Sequence, residues 1–138
     1  MNHPMRLAYL VFGARKPAEW ANFLDRMLGL PAPVTNTDGS RGWRIDGAQQ
    51  RLVVAEDASD DLLALGLELT DDAALDALVR RLESQGLAVA PGTAAECEAR
   101  RVFRLVRLQD AVLRGLFRGP HPPLRVGCHG GQGDLELA

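Results

Sequence analysis

Residues 7–30 read Leu7-Ala8-Tyr9-Leu10-Val11-Phe12, then Gly13-Ala14-Arg15-Lys16-Pro17, then Ala18 to Leu28, then Gly29-Leu30. This is an apolar strand, a short break, one amphipathic helix and a glycine stop. Trp20, Phe23, Leu24, Met27 and Leu28 recur at i, i+3, i+4, i+7 and i+8, one face of a 3.6-residue period. Pro17 suits the first helical turn, because the N–H it lacks would have no partner there. Gly29 suits the position just past the helix, where a left-handed backbone costs glycine little. A strand feeding such a helix cannot bury both apolar faces alone. The rest of the chain supplies a second copy of the same plan.

In the first half, Pro31 and Pro33 flank an extended start that runs to about Asn36, and Asp38-Gly39 signals a turn. Gly42 to Ile45 reads as a strand with Trp43 and Ile45 on one face. Asp46-Gly47 is the strongest hairpin signal in the chain, and Gln50 to Ala55 returns as the paired strand. In the second half, Leu62 to Leu69 is an apolar strand. Thr70 is the expected N-cap of a helix, and Asp71-Asp72 suit the positive end of its dipole. Leu75, Leu78, Val79 and Leu82 form its apolar stripe, and Gly86-Leu87 closes it. Leu87 to Ala90 is expected as a short strand, Pro91-Gly92 as a turn, and Thr93 to Ala99 as a loop or an extended piece. Arg101 to Leu108 is expected as a strand, Gln109-Asp110 as a turn, and Ala111 to Phe117 as the returning strand.

The order is strand, helix, strands, twice over. The repeat lies in the order of elements rather than in residue identity. It places one domain over residues 1–119, with repeats at about 5–57 and 61–119. From Gly119 the composition shifts to Pro120, Pro122 and Pro123, then Gly127, Gly130, Gly131 and Gly133. Residues 120–138 are therefore expected to be a flexible Pro/Gly-rich tail.

A chain of 138 residues is large enough for a real core, and 46% hydrophobic with 25% charged residues is ordinary for a globular protein. A net charge of -2 gives no electrostatic reason to expect nucleic acid. No apolar run approaches the roughly 20 residues of a membrane helix. Cys97 and Cys128 stand in unlike contexts without metal spacing, and no signal peptide is evident; both point to the cytoplasm.

A double βαβββ plan of this length resembles the vicinal oxygen chelate superfamily, which includes glyoxalase I, bleomycin-resistance proteins and extradiol dioxygenases. Leu7-Ala8-Tyr9-Leu10-Val11-Phe12, Trp20 with Phe23-Leu24, Leu28-Gly29-Leu30 and Trp43-Arg44-Ile45-Asp46 resemble the N-terminal module of type I extradiol ring-cleavage dioxygenases, in the 2,3-dihydroxybiphenyl branch. Asp61-Leu62-Leu63-Ala64, Glu68 before the second helix, and Leu116-Phe117-Arg118-Gly119-Pro120 extend the resemblance from Leu7 to about Pro120. It implies an α+β fold: two βαβββ modules with curled mixed sheets and helices on the outer faces.

The resemblance also implies a chemistry. Such enzymes hold Fe(II) with two histidines and one glutamate, leaving sites for catecholate and dioxygen. They carry these ligands in a second, C-terminal module, and the N-terminal module is metal-free. Laid on this chain, the histidine positions fall at Tyr9 and about Ala64, and the glutamate position at about Gly115. None can supply the required donor. The implied role is a module without catalytic residues or cofactor of its own, belonging to an enzyme that cleaves catechols. Its iron would sit in a missing catalytic module, or the chain would pair with another. The alternative is a stand-alone, metal-free binder of small aromatics, a homodimer, with Tyr9, Trp43 and Phe117 lining an apolar pocket.

The remaining candidates are weaker. His3, His121 and His129 lie off the expected strands and read as solvated. Cys128-His129 is a lone adjacent pair, short of a metal site. Glu68 reads as half of an ion pair or as a solvated strand end. The arginines at 100, 101, 104, 107, 114 and 118 lack the aromatic platforms of a nucleic-acid surface and can pair with Glu96, Glu98 and Asp110.

Overall fold

Strand β1 (Met5–Ala14) is the hinge of the architecture, pairing parallel with β4 (Leu52–Glu56) and antiparallel with β5 (Leu62–Leu69). The computed structural model describes residues 5–109 and 134–138. Between β1 and β4 lie α1 (Pro17–Asn22), β2 (Val34–Thr35) and β3 (Arg41–Trp43). After β5 come α2 (Asp72–Ser84), β6 (Ala90–Pro91), α3 (Ala94–Arg100), β7 (Val106–Gln109) and β8 (Asp134–Leu137). The strands form one open mixed sheet in the order β2-β3-β4-β1-β5-β8-β7-β6. Each half has the same internal plan. Its first strand runs parallel to its last, Val11 beside Val53 in one half and Leu65 beside Leu135 in the other. The expected α+β fold of two βαβββ units is present.

Both long apolar strands alternate as their registers require. Trp43, Leu52, Val54 and Ala14 face α1, where Ala21 and Leu24 complete a core. Val106, Leu108 and Leu137 face α2, where Leu75 is buried among them. On the opposite face Tyr9, Val11, Val53 and Ala64 pack together, covered by Val102 from the residues that follow α3. Gly29 and Gly86 both hold positive φ, 68° and 83°, so each helix stop is the left-handed turn that glycine suits.

Several expectations are corrected. The expected tail ends in a strand: Asp134–Leu137 is β8, inserted between β5 and β7, while residues 120–133 lie outside the described residues. Its Asp-Leu-Glu-Leu alternation directs Leu135 and Leu137 toward α2 and Glu136 to the other face. The returning strand expected at Ala111–Phe117 lies outside the described residues. The segment Thr93–Ala99 carries a helix, because Thr93 Oγ1 accepts from the Glu96 N–H while the Glu96 carboxylate accepts from the Thr93 N–H. That helix ends at Arg101 in a left-handed conformation (φ 56°), so β7 starts at Val106 rather than Arg101. The cap of α2 is Asp71, which accepts from the Ala74 N–H at 2.7 Å, and not Thr70. The first helix keeps regular geometry only to Asn22. Phe23–Met27 continues as a π-helical turn closed by Leu28 N–H to Phe23 O at 3.0 Å. Of its predicted core stripe only Leu24 is buried.

Because β8 is an interior strand, Leu137→Ala should destabilise the protein by about 2–5 kcal/mol. Deleting residues from Asp134 onward should remove cooperative unfolding of the second half. Urea denaturation checks both, and a truncated chain that keeps the parent's midpoint would show that β8 is dispensable.

Candidate functional site

The face of the sheet under α3 carries the polar groups with the most constrained chemistry. Register sets Tyr9 opposite Gly66 and Gly66 opposite Glu136, so the three lie in a row across β1, β5 and β8. Gly66 is required there, since a Cβ would come within 2.4–2.7 Å of three carbon atoms of the Tyr9 ring. The carboxylate of Glu136, only 4% exposed, accepts a hydrogen bond from the Tyr9 hydroxyl. The same oxygen accepts from Arg100 Nε at 3.0 Å, from the last turn of α3. The guanidinium also lies 6.0 Å from the Tyr9 ring centroid and 3.8 Å from Asp38.

A second polar layer joins α3 to the first half. Gln50 donates to the Ala99 carbonyl at 3.0 Å, and Asn36 donates to Gln50 at 2.9 Å and to Ser40 at 3.1 Å. Arg101 Nε donates to Asn36 at 2.9 Å. Arg107 pairs with Glu96 at 2.7 Å, while its Nε is buried without a partner among the described residues. The layer is a clamp, with charges paired and buried amides mostly satisfied.

Burial pushes the Tyr9 phenol far above its ordinary pKa of 10.0, with the negative charge of Glu136 and the hydrogen bond to it adding to the shift and Arg100 partly opposing it. Tyr9 is therefore a neutral donor at any physiological pH.

The structure does not bring the expected pocket residues together. Trp43 is fully buried beneath α1, on the other face from Tyr9, and its indole N–H donates to Asp25 at 2.7 Å. Phe117 and Gly115 lie outside the described residues, as do His3, His121, His129 and Cys128. Ala64 is buried beside Tyr9. Glu68 pairs with Arg6 at the exposed end of the sheet. Sequence reasoning missed Glu136, Arg100 as its partner, and α3 between them. The available signals were the Thr93-x-x-Glu96 capping pattern and the alternation at 134–137. A separate cleft of about 690 Å³ opens beside Phe12 and Trp20, but its two cations are already paired, Arg15 with Asp60 and Lys16 with Glu19.

No protein-family model matches the chain. A biphenyl-2,3-diol 1,2-dioxygenase of Pseudomonas sp. (strain KKS102) is 35% identical over 105 residues, covering 76% of this chain and 36% of that protein. Another, from Paraburkholderia xenovorans (strain LB400), is 35% identical over 75% of this chain and 35% of its own length. Among solved structures, a catechol 2,3-dioxygenase superposes with a TM-score of 0.69 at 23% identity, over 95% of this chain and 39% of that one. The chain belongs to the vicinal oxygen chelate superfamily. A hypothetical protein from Bacillus halodurans C-125 shares the fold at a TM-score of 0.60 and 9% identity, over 92% of its length. This vicinal oxygen chelate chain spans about a third of the length of the curated dioxygenases it matches.

The iron that such dioxygenases imply does not fit the groups found here. Tyr9 offers a neutral phenol and Ala64 a methyl group. Among the described residues the carboxylate beside them is Glu136, which already accepts from Tyr9 and Arg100. Among the described residues no three His, Cys, Asp or Glu side chains converge as a metal site would need.

Tyr9 is the sole tyrosine, so tyrosinate absorbance reports it alone. The folded state holds its proton more tightly than the unfolded state, so stability should fall as pH rises beyond about 10. The tyrosinate signal should appear only as the protein unfolds, and Tyr9→Phe should flatten that part of the stability profile. Glu136→Ala should cost about 3–5 kcal/mol, because it strips a buried guanidinium of its main counter-charge. Calorimetry of the variant checks that figure.

Proposed function

We propose that this chain is the metal-free module, of the N-terminal kind, of an extradiol ring-cleavage dioxygenase acting on catechols of the 2,3-dihydroxybiphenyl type. Its 35% identity to biphenyl-2,3-diol 1,2-dioxygenases supports the substrate class. The observation that carries the reading is the Glu136 carboxylate. It lies beside Tyr9, where the resemblance puts the first metal ligand, yet it is engaged by a phenol and a guanidinium. This module therefore uses its interior for stability.

The Fe(II) that binds catecholate and dioxygen would belong to a partner module, in the same protein or in another chain. The chain's own residues supply a stiff, buried scaffold against which that module can be held. We also place the protein in the cytoplasm, where the free thiol of Cys97 would stay reduced. Among the described residues no helix is long and apolar enough to cross a membrane. Neither nucleic acid nor a membrane is proposed as a partner. A stand-alone binder of small aromatics has less support, since Val102 covers the apolar patch around Tyr9 and Trp43 faces away from it.

The test is metal content after incubation with Fe(II) without oxygen, followed by desalting. The chain should retain far less than one iron and should not cleave 2,3-dihydroxybiphenyl unless an iron-bearing module is added. About one iron per chain, lost in Tyr9→Phe or Glu136→Gln, would overturn the proposal.

A further inference from the structure

The groups that surround the Arg100 guanidinium owe nothing to α3. Tyr9 stands on β1 with its ring packed over Gly66, and Glu136 stands on β8, two strands away. Asp38 sits in the turn between β2 and β3. Its Oδ1 accepts from the Ser40 backbone N–H at 2.9 Å and from the Ser40 hydroxyl, which turns Oδ2 toward Arg100. An aromatic face and two carboxylates are thus positioned by the sheet and by one turn.

The guanidinium fills this box nitrogen by nitrogen. Nε donates to Glu136 Oε2 at 3.0 Å, Nη2 donates to Glu136 Oε1 at 3.5 Å, and Nη1 lies 3.8 Å from Asp38 Oδ2. Each nitrogen meets a different carboxylate oxygen, and the carbon between them stands 6.0 Å from the Tyr9 ring centroid. The match is planar and forked, which an ammonium cannot reproduce. Among the described residues neither carboxylate has another cation within ion-pair distance. The rest of α3 does little to hold Arg100 there. Ala99 is the buried residue of that helix, and its other ties are polar, Gln50 with the Ala99 carbonyl and Arg107 with Glu96. Arg100 is placed as a ligand tethered to its site, at an effective concentration on the order of mM.

We propose that Tyr9, Glu136 and Asp38 form a guanidinium-binding site, which this chain keeps filled with its own Arg100. A free cation of that class, planar and rich in N–H donors, enters when Arg100 is withdrawn. This goes beyond the module reading and does not depend on it.

Chemical rescue of Arg100→Ala in the full chain tests the site. Thermal unfolding is followed by circular dichroism in about 50 mM guanidinium chloride, far below denaturing concentrations. The controls are the same concentrations of sodium chloride and of tetramethylammonium chloride. Guanidinium should raise the midpoint of Arg100→Ala by about 2–4 °C over either control. It should not raise that of the parent, whose site is full. Arg100→Ala combined with Glu136→Gln should lose the response. Should Arg100→Ala prove unfolded, guanidinium should restore its folded signal and neither control should. No rescue, equal rescue by sodium, rescue that survives Glu136→Gln, or stabilisation of the parent would each overturn the inference and leave Arg100 an ordinary structural ion pair. Iron content of the parent tests the module reading separately, so either can fail alone.

Discussion

A carboxylate inside a protein must be answered by donors or it will not stay. Glu136 is answered twice, by the phenol of Tyr9 on β1 and by the guanidinium of Arg100 at the end of α3. These contacts join three segments that are far apart in sequence, and each depends on the others. The strand β8 must enter beside β5 for Glu136 to face Tyr9, Gly66 must lack a side chain for the ring to lie flat, and α3 must end where Arg100 can reach. Broken at one partner, the arrangement leaves a buried charge; complete, it fixes the last strand and the third helix together.

The sheet halves meet along β1 and β5, the two strands that the sequence announces most clearly. Their apolar runs, the helices that follow and the glycines that end those helices are local signals, readable from spacing alone. What stayed hidden carries weaker local signals. The helix α3 is seven residues long, and its alanines give no apolar stripe; only the capping pair at Thr93 and Glu96 betrays it. The strand β8 follows a stretch rich in proline and glycine, and average composition conceals four alternating residues behind it.

Facing is the other thing a single sequence leaves open. Tyr9 and Trp43 both belong to apolar strands, yet β1 and β3 present them to opposite faces, because β4 between them sets the register. Periodicity likewise identified the stripe of α1, but not how much of it the sheet would cover. Residues carried over by resemblance fare better at the level of the fold than at the level of the site. The strand that brings Tyr9 to the centre is where it was expected, while the nearby carboxylate comes from a strand that reading did not contain.

The placement of β8 has a consequence for biosynthesis. Leu65 pairs with Leu135, so the second half cannot close until residues 134–137 have been made, some seventy residues after β5. Until then β5 keeps only β1 beside it, and its other backbone edge stays open to strands of other nascent chains. Parallel pairing at long range is also slow to form. The first half closes through β4 long before that, so it can stand as a folded template while the ribosome finishes the rest.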